Sequence, residues 1–126
     1  MGDPWFWITG VHIAYGGEAS VADLARQDLP NTGWAGFVEQ AVSQNEFRDY
    51  CLAAAEHDLR VHTIVGDDLQ DLIPALVDVA ERYPIGERRW VIEHIGRARQ
   101  EDLETLKKLG VLVTTIPAYF IWKGGG

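Results

Sequence analysis

The sequence predicts an α/β protein made of parallel βα units, as in one half of a (β/α)₈ barrel. Three apolar runs, at 60–65, 89–94 and 111–116, are continuous rather than alternating, which is typical of strands covered on both faces of a parallel sheet. Helical patterns separate the runs, and the strands recur about every 20–30 residues, the size of a βα unit. Four such units amount to about half of a barrel of about 250 residues. A four-stranded open sheet fits the same pattern.

Composition limits the classes of function. The chain of 126 residues has the length of a single domain spanning 1–126, and its net charge of −8 argues against a nucleic-acid partner. We find neither an apolar run long enough to cross a membrane nor a signal peptide. Cys51 is the single cysteine, so an internal disulfide is excluded. We therefore expect a cytoplasmic protein without a membrane partner.

The first part of the chain predicts one strand and a long connection. Residues 5–14 are aromatic and β-branched, as in a strand. Residues 15–42 are rich in glycine and turn-forming residues, and a connection of that length is usually functional or disordered.

Three helices follow, each with its own signals. Ser43 and Glu46 form a capping-box pattern at the start of the first helix. The second carries the clearest apolar stripe in the chain, over 69–80, and Asp67 or Asp68 is its predicted N-cap. The third spans 99–109, and Gly110 is its predicted stop.

Two histidines lie at the carboxyl ends of successive strands. His62 is near the end of the strand at 60–65, and His94 ends the strand at 89–94. Functional groups collect at this edge of parallel sheets, so the two imidazoles can converge on one metal ion or one substrate. The alternative for each is a structural, hydrogen-bonded histidine. His12 ends the first strand in the same way and is a candidate third ligand or substrate contact.

Two carboxylates accompany these histidines. Asp67 follows Gly66, just after the strand that contains His62, where a carboxylate can orient a metal-bound water. The alternative is an N-cap, the most common role of an aspartate before a helix. Glu93 precedes His94, and neighbours on a strand point to opposite faces. We therefore assign Glu93 a supporting role rather than a shared ligand role. The structural alternative for Glu93 is a salt bridge to an arginine such as Arg89 or Arg97.

In this order, the motifs resemble the amidohydrolase superfamily, and most closely its third family, the group of the N-substituted formamide deformylase. The resemblance covers about Leu59 to Phe120. The matching elements are Val61-His62 with Gly66-Asp67, the strand Trp90-Val91-Ile92-Glu93-His94, and Leu109-Gly110-Val111 leading to Ile116-Pro117.

This resemblance implies a distorted (β/α)₈ barrel that holds one or two divalent metals, usually zinc, and hydrolyses amide or related C–N bonds of a small-molecule substrate. It implies that His62 is the metal ligand from the fifth barrel strand and His94 the ligand from the sixth. His12 stands where some relatives have a lysine that bridges two metals after carboxylation. Histidine cannot be carboxylated in that way, which argues against a binuclear site of that type.

Parts of the family pattern are absent. The chain has neither the His-x-His pair of the first barrel strand nor an eighth strand with its aspartate base. We therefore expect a fragment equivalent to barrel strands four to seven, inactive by itself because a catalytic zinc normally has three protein ligands. Exposed sheet edges and apolar faces predict self-association into a homo-oligomer. Two other hypotheses stand beside it: a non-catalytic α/β binding module with structural histidines, and a small enzyme whose site is completed across a homodimer.

Overall fold

The computed structural model describes residues 2–15, 42–65, 69–95 and 98–115 of the chain. Strands and helices alternate along these residues, which confirms the predicted α/β class with parallel βα units. The elements in chain order are β1 (Gly10–Ala14), α1 (Gln44–Glu56), β2 (Arg60–Ile64), α2 (Leu69–Arg82), a short 3₁₀ helix (Ile85–Arg88), β3 (Val91–Glu93), α3 (Gln100–Leu109) and β4 (Leu112–Val113).

The four strands form one parallel sheet in the order β1-β2-β3-β4. His12 lies opposite His62, and Val91 lies opposite both His62 and Leu112. Crossovers between parallel strands are right-handed, so a sheet whose strands follow chain order has its connecting helices on one side. The sheet is therefore singly wound, with one face toward the helices.

Alternation along the strands places apolar side chains on the helix-facing side. Val61 and Ile92 are almost fully buried there, and so is Thr63, the register partner of Ile92. Phe47 of α1 packs edge-on against Tyr15, with ring centroids 5.3 Å apart. The core also includes, among others, Cys51, Leu72, Leu76, Val79 and Leu106 from the three helices. Burial raises the pKa of the Cys51 thiol well above its ordinary value, which keeps it protonated.

Two predicted helix-end signals are confirmed, whereas the predicted N-cap of α2, Asp67 or Asp68, lies outside the described residues. Ser43 and Glu46 form the complete capping box, and the Ser43 backbone N–H donates to Glu46 Oε2 at 3.0 Å. That bond lowers the pKa of Glu46. Gly110 ends α3 with a φ of 70°, where a Cβ would come within 2.7 Å of the Gly86 backbone. Glycine is therefore required there both for its conformation and for the close approach.

A capping interaction that the sequence did not reveal begins α3. The Arg99 guanidinium donates two hydrogen bonds to Asp102, from Nε to Oδ2 at 2.9 Å and from Nη2 to Oδ1 at 2.8 Å. Asp102 also accepts the Arg99 backbone N–H at 3.1 Å. These bonds lower the pKa of Asp102, which is only 4% exposed.

Side-chain bonds link the loops at the amino ends of β2 and β3, an arrangement termed here the amino-end clamp. Trp90 Nε1 donates to the Leu59 carbonyl at 3.2 Å, and Arg60 Nε donates to the Arg88 carbonyl at 3.3 Å. Arg88 returns to the end of α1, with its Nη1 bonded to the Ala55 carbonyl. These bonds connect two successive βα units at the amino ends of their strands.

All four strands are shorter than predicted, the second only by Val65. The first strand begins at Gly10 rather than at residue 5, because residues 3–6 form a turn around the Asp3 carboxylate. The third strand ends at Glu93, because His94 has a left-handed φ of 62° that cannot continue a strand. The fourth strand is Leu112–Val113 only.

Of the predicted connection at 15–42, residues 16–41 lie outside the described residues, as does the tail from Pro117, while Tyr15 and Val42 form a parallel bridge. Among the helices that the structure describes, none is both apolar and long enough to cross a membrane.

Candidate functional site on the open face of the sheet

The second face of the sheet carries three of the five predicted site residues, His12, His62 and Glu93. None of the described helices packs on this side, so it is called the open face. Its side chains alternate with the buried ones along each strand. Apart from the buried Ala14, they are half-buried or exposed, and they include His12, His62, Ile64, Val91, Glu93 and Leu112.

His62 and Glu93 are in direct contact on the open face. His62 Nδ1 lies 3.1 Å from Glu93 Oε1, and the two side chains are 38% and 29% exposed. Glu93 pairs in register with Ile64, two residues beyond His62. Residues two apart on a strand share a face, so the glutamate reaches diagonally across the strand gap to the imidazole.

This contact determines which imidazole nitrogen is available. An ionised carboxylate only accepts hydrogen bonds, so His62 Nδ1 carries the donated proton. In the neutral ring, Nε2 then holds a free lone pair. A carboxylate behind a histidine is the usual arrangement for fixing the tautomer and the ring orientation of a metal ligand. The pair can therefore present Nε2 to a metal ion or accept a proton from a substrate.

His12 is the cross-strand neighbour of His62. The two residues are register partners in the parallel β1–β2 pair, so their side chains leave the same face about 4.8 Å apart at the backbone. His12 is exposed, whereas His62 is half-buried. The structure therefore places the two imidazoles next to each other on the open face.

His94 lies just beyond the carboxyl end of β3. Its φ of 62° is unusual for a residue with a Cβ, although histidine is among the residues that tolerate it better. The side chain is half-buried. Sparsely populated backbone conformations of this kind cluster at functional sites, and this one turns the chain away from the strand line directly after Glu93.

The remaining predicted member of the site, Asp67, lies outside the described residues. In the part of the chain that the structure describes, no group of three or more His, Cys, Asp or Glu side chains is arranged to hold a metal ion. His62 and its neighbours thus form, at most, part of a metal site.

The partner of Glu93 differs from the arginine alternative drawn from the sequence. The ion pair that the structure gives Glu93 is with His62, whereas Arg97 is outside the described residues. The contact between Glu93 and His62 follows from the strand register, which places both side chains on one face of the sheet. That register could not be fixed without knowing where each strand begins.

Comparison with known proteins returns no match among protein-family models, curated proteins or solved structures. The candidate site therefore stands on its geometry and on the sequence pattern.

Proposed function

We propose that the chain is a four-strand section of a metal-dependent amidohydrolase-type barrel, inactive alone, from an enzyme that hydrolyses non-peptide amide or formamide C–N bonds. The observation that carries this proposal is the carboxylate-paired His62 on the open face of a singly wound parallel sheet. His94 is the second proposed ligand. His12 is the candidate third contact.

The sheet topology supports the barrel part of the proposal. In doubly wound folds the strand order reverses and helices cover both faces of the sheet. Here the strand order follows the chain order. The buried residues of the described helices and strands form one hydrophobic core, on one face of the sheet. A (β/α)₈ barrel is built by the same winding, with functional groups at the carboxyl ends of its strands.

The donor set supports a divalent metal such as zinc. Neutral imidazole is a preferred zinc ligand, and Glu93 leaves Nε2 of His62 free to coordinate. When bound, such a metal acts as a Lewis acid toward the amide carbonyl. The residues of this chain would hold and orient it: His62 and His94 as ligands, with Glu93 fixing the His62 ring. A catalytic zinc normally has three protein ligands, so full activity requires groups beyond these two.

A second candidate function is a non-catalytic binding module. The observation that favours it is that the described residues contain no three-ligand group. In that case, the His62–Glu93 contact is an ordinary half-buried ion pair that joins β2 and β3.

Zinc binding by the untagged chain separates the two functions. The measurement is isothermal titration with zinc, together with metal content after purification without a metal-affinity tag. We expect His62→Ala and His94→Ala each to raise the zinc Kd at least about tenfold, and Glu93→Gln about 10–100-fold. His57→Ala is the matched control, because His57 is exposed at the end of α1. Equal binding by all four variants would remove the ligand assignment and favour the binding module.

Hydrolysis tests the expected inactivity. We expect no turnover of a simple formamide by the zinc-loaded chain above the level of His62→Ala. Turnover that disappears in His62→Ala and in His94→Ala would instead show a site completed between subunits.

A further inference from the structure

An aromatic turn projects from the amino end of β1. Trp5, Phe6 and Trp7 are 95%, 66% and 66% exposed, and these three residues are called the aromatic hook. Asp3 holds the hook in shape, since its Oδ1 accepts the backbone N–H groups of Trp5 and Phe6 at 2.8 and 2.9 Å.

The hook is closed tightly at its base. Gly2 forms an antiparallel bridge to Trp7, and a Cβ on Gly2 would lie 2.1 Å from the Phe6 carbonyl oxygen. Only glycine permits this approach. The three large apolar side chains are therefore held outward by an ordered turn, which reduces the entropy cost of binding through them.

An apolar groove lies at the opposite edge of the sheet. It runs between α3 and β4, and Leu103, Leu112 and Val113 in it are 39%, 50% and 45% exposed. Lys107 lines the same groove. The groove has a volume of about 520 Å³, and Leu106 and Val111 also line it.

We propose that the hook of one copy of this chain docks in the groove of a second copy, and that the reciprocal contact closes a two-fold dimer. The hook precedes β1 and the groove adjoins β4, which are the two edges of the described sheet. Three strand gaps of about 4.8 Å separate these edges, so the hook is poorly placed to fill the groove of its own chain.

The size of the contact is sufficient for a stable dimer. Aromatic side chains bury about 150–250 Å² each when fully covered, so at the exposures of Trp5, Phe6 and Trp7 two hooks remove about 700–1,100 Å² from water before the groove walls are counted. A specific interface needs about 1,000 Å² in total.

Charge complements the apolar contact. Asp3 is exposed at the hook, and Lys107 is exposed where it lines the groove, with Lys108 next to it in the last turn of α3. In the docked pair the lysines face a carboxylate and aromatic rings, both of which attract a cation. This match favours a second copy over an uncharged apolar partner.

Analytical ultracentrifugation across a concentration series tests the proposal. The untagged chain is expected to reach twice its monomer mass. The hook variant Trp5→Ser/Trp7→Ser and the groove variant Leu103→Glu should each raise the dimer Kd at least about 30-fold. Tyr50→Ser is the matched control, because Tyr50 is an exposed aromatic on α1, away from both surfaces, and it should leave the Kd unchanged.

Mixing the two variants provides the sharper test. A hook variant still has an intact groove, and a groove variant still has an intact hook, so an equimolar mixture recovers one of the two contacts. We expect the mixture to associate more tightly than either variant alone. A monomeric parent chain, unaffected dimerisation in both variants, or no recovery on mixing would each overturn the proposal. Circular dichroism of the variants confirms that they fold. Dimerisation is measured independently of zinc binding. The proposed function can therefore fail while this inference holds, and this inference can fail while the proposed function holds.

Discussion

The two faces of the sheet differ in burial and polarity, although the same strands form both. On the helix-facing side, Val61 and Ile92 are 1% exposed, and Thr63 is the only polar side chain buried among the described strands. On the open face, His62 and Glu93 keep about a third of their side-chain surface exposed and bond to each other. One face is packed to hold the fold, and the other displays groups that can exchange protons or ligands.

The difference teaches where substitutions should affect stability and where they should affect binding. Removing buried apolar atoms costs transfer free energy and leaves a cavity. Half-exposed polar residues contribute little net stability, because water replaces their partners. The predictions below test this division, starting with the largest expected change in the free energy of unfolding.

Trp90→Ala should destabilise the chain by about 3–5 kcal/mol. Trp90 is 1% exposed, and its indole N–H is bonded to the Leu59 carbonyl, so the variant loses both packing and one of the three bonds of the amino-end clamp. Urea denaturation followed by far-ultraviolet circular dichroism measures the loss. Trp90→Phe should lose less, because it keeps most of the ring. An unfolding midpoint equal to that of the parent chain would mean that this face is not the core.

Asp102→Asn should lower the free energy of unfolding by about 1–2 kcal/mol at neutral pH. The pKa of Asp102 is lowered in the folded state, chiefly by the hydrogen bonds from the Arg99 side chain. A lowered carboxylate pKa stabilises the fold above the unfolded pKa of about 3.9, and this contribution disappears as pH falls through the folded value. The gap between parent and variant should therefore be constant near neutrality and close below about pH 4. A gap that widens on acidification would refute this assignment.

His94→Gly should stabilise the fold by about 0.5–1 kcal/mol while removing a proposed zinc ligand. The left-handed φ of 62° costs a residue with a Cβ about 1–2 kcal/mol, and the greater unfolded-state entropy of glycine offsets part of that gain. His94→Ala is the matched variant, since it also removes the imidazole but keeps the Cβ. Thermal unfolding of both variants is the measurement, and equal melting temperatures would show that the conformation carries no strain.

His12→Ala should change the free energy of unfolding by less than about 0.5 kcal/mol. His12 is exposed on the open face, although it lies directly opposite His62. The same urea titration checks this value. A loss as large as that of a core residue would show that the open face is covered in solution and that the two faces are more alike than their exposure suggests.

The covered face could be predicted from sequence far better than the candidate site. The parallel βα order, the Ser43 capping box and the Gly110 stop depend on local chemistry, and all three are confirmed. The expectation that the strands are covered on both faces is wrong, because buried and half-buried residues alternate along β2 and β3. The His62–Glu93 contact depends instead on strand register, which a shift of one residue reverses. The left-handed conformation of His94 leaves no local sequence signal, because glycine or asparagine is the usual mark of that conformation.

The Arg99–Asp102 cap was missed for another reason. Arginine is not a usual N-cap residue, because its guanidinium cannot accept a backbone N–H. The carboxylate of Asp102 instead accepts the Arg99 backbone N–H and pairs with the guanidinium. The N-terminal hook was mistaken for part of a strand because aromatic residues favour strands, while the turn depends on one aspartate and one glycine.

The amino-end clamp has a consequence for how such a molecule can diversify. Trp90, Arg60 and Arg88 join the loops at the amino ends of the strands. Of the proposed ligands, His94 lies beyond the opposite end of β3, and His62 is the central residue of β2 rather than its end. Loops above the strands can accordingly be lengthened, shortened or exchanged without loosening the bonds that hold neighbouring βα units in register. Binding specificity can thus change at the carboxyl ends of the strands, while the bonds at their amino ends keep the βα units in place.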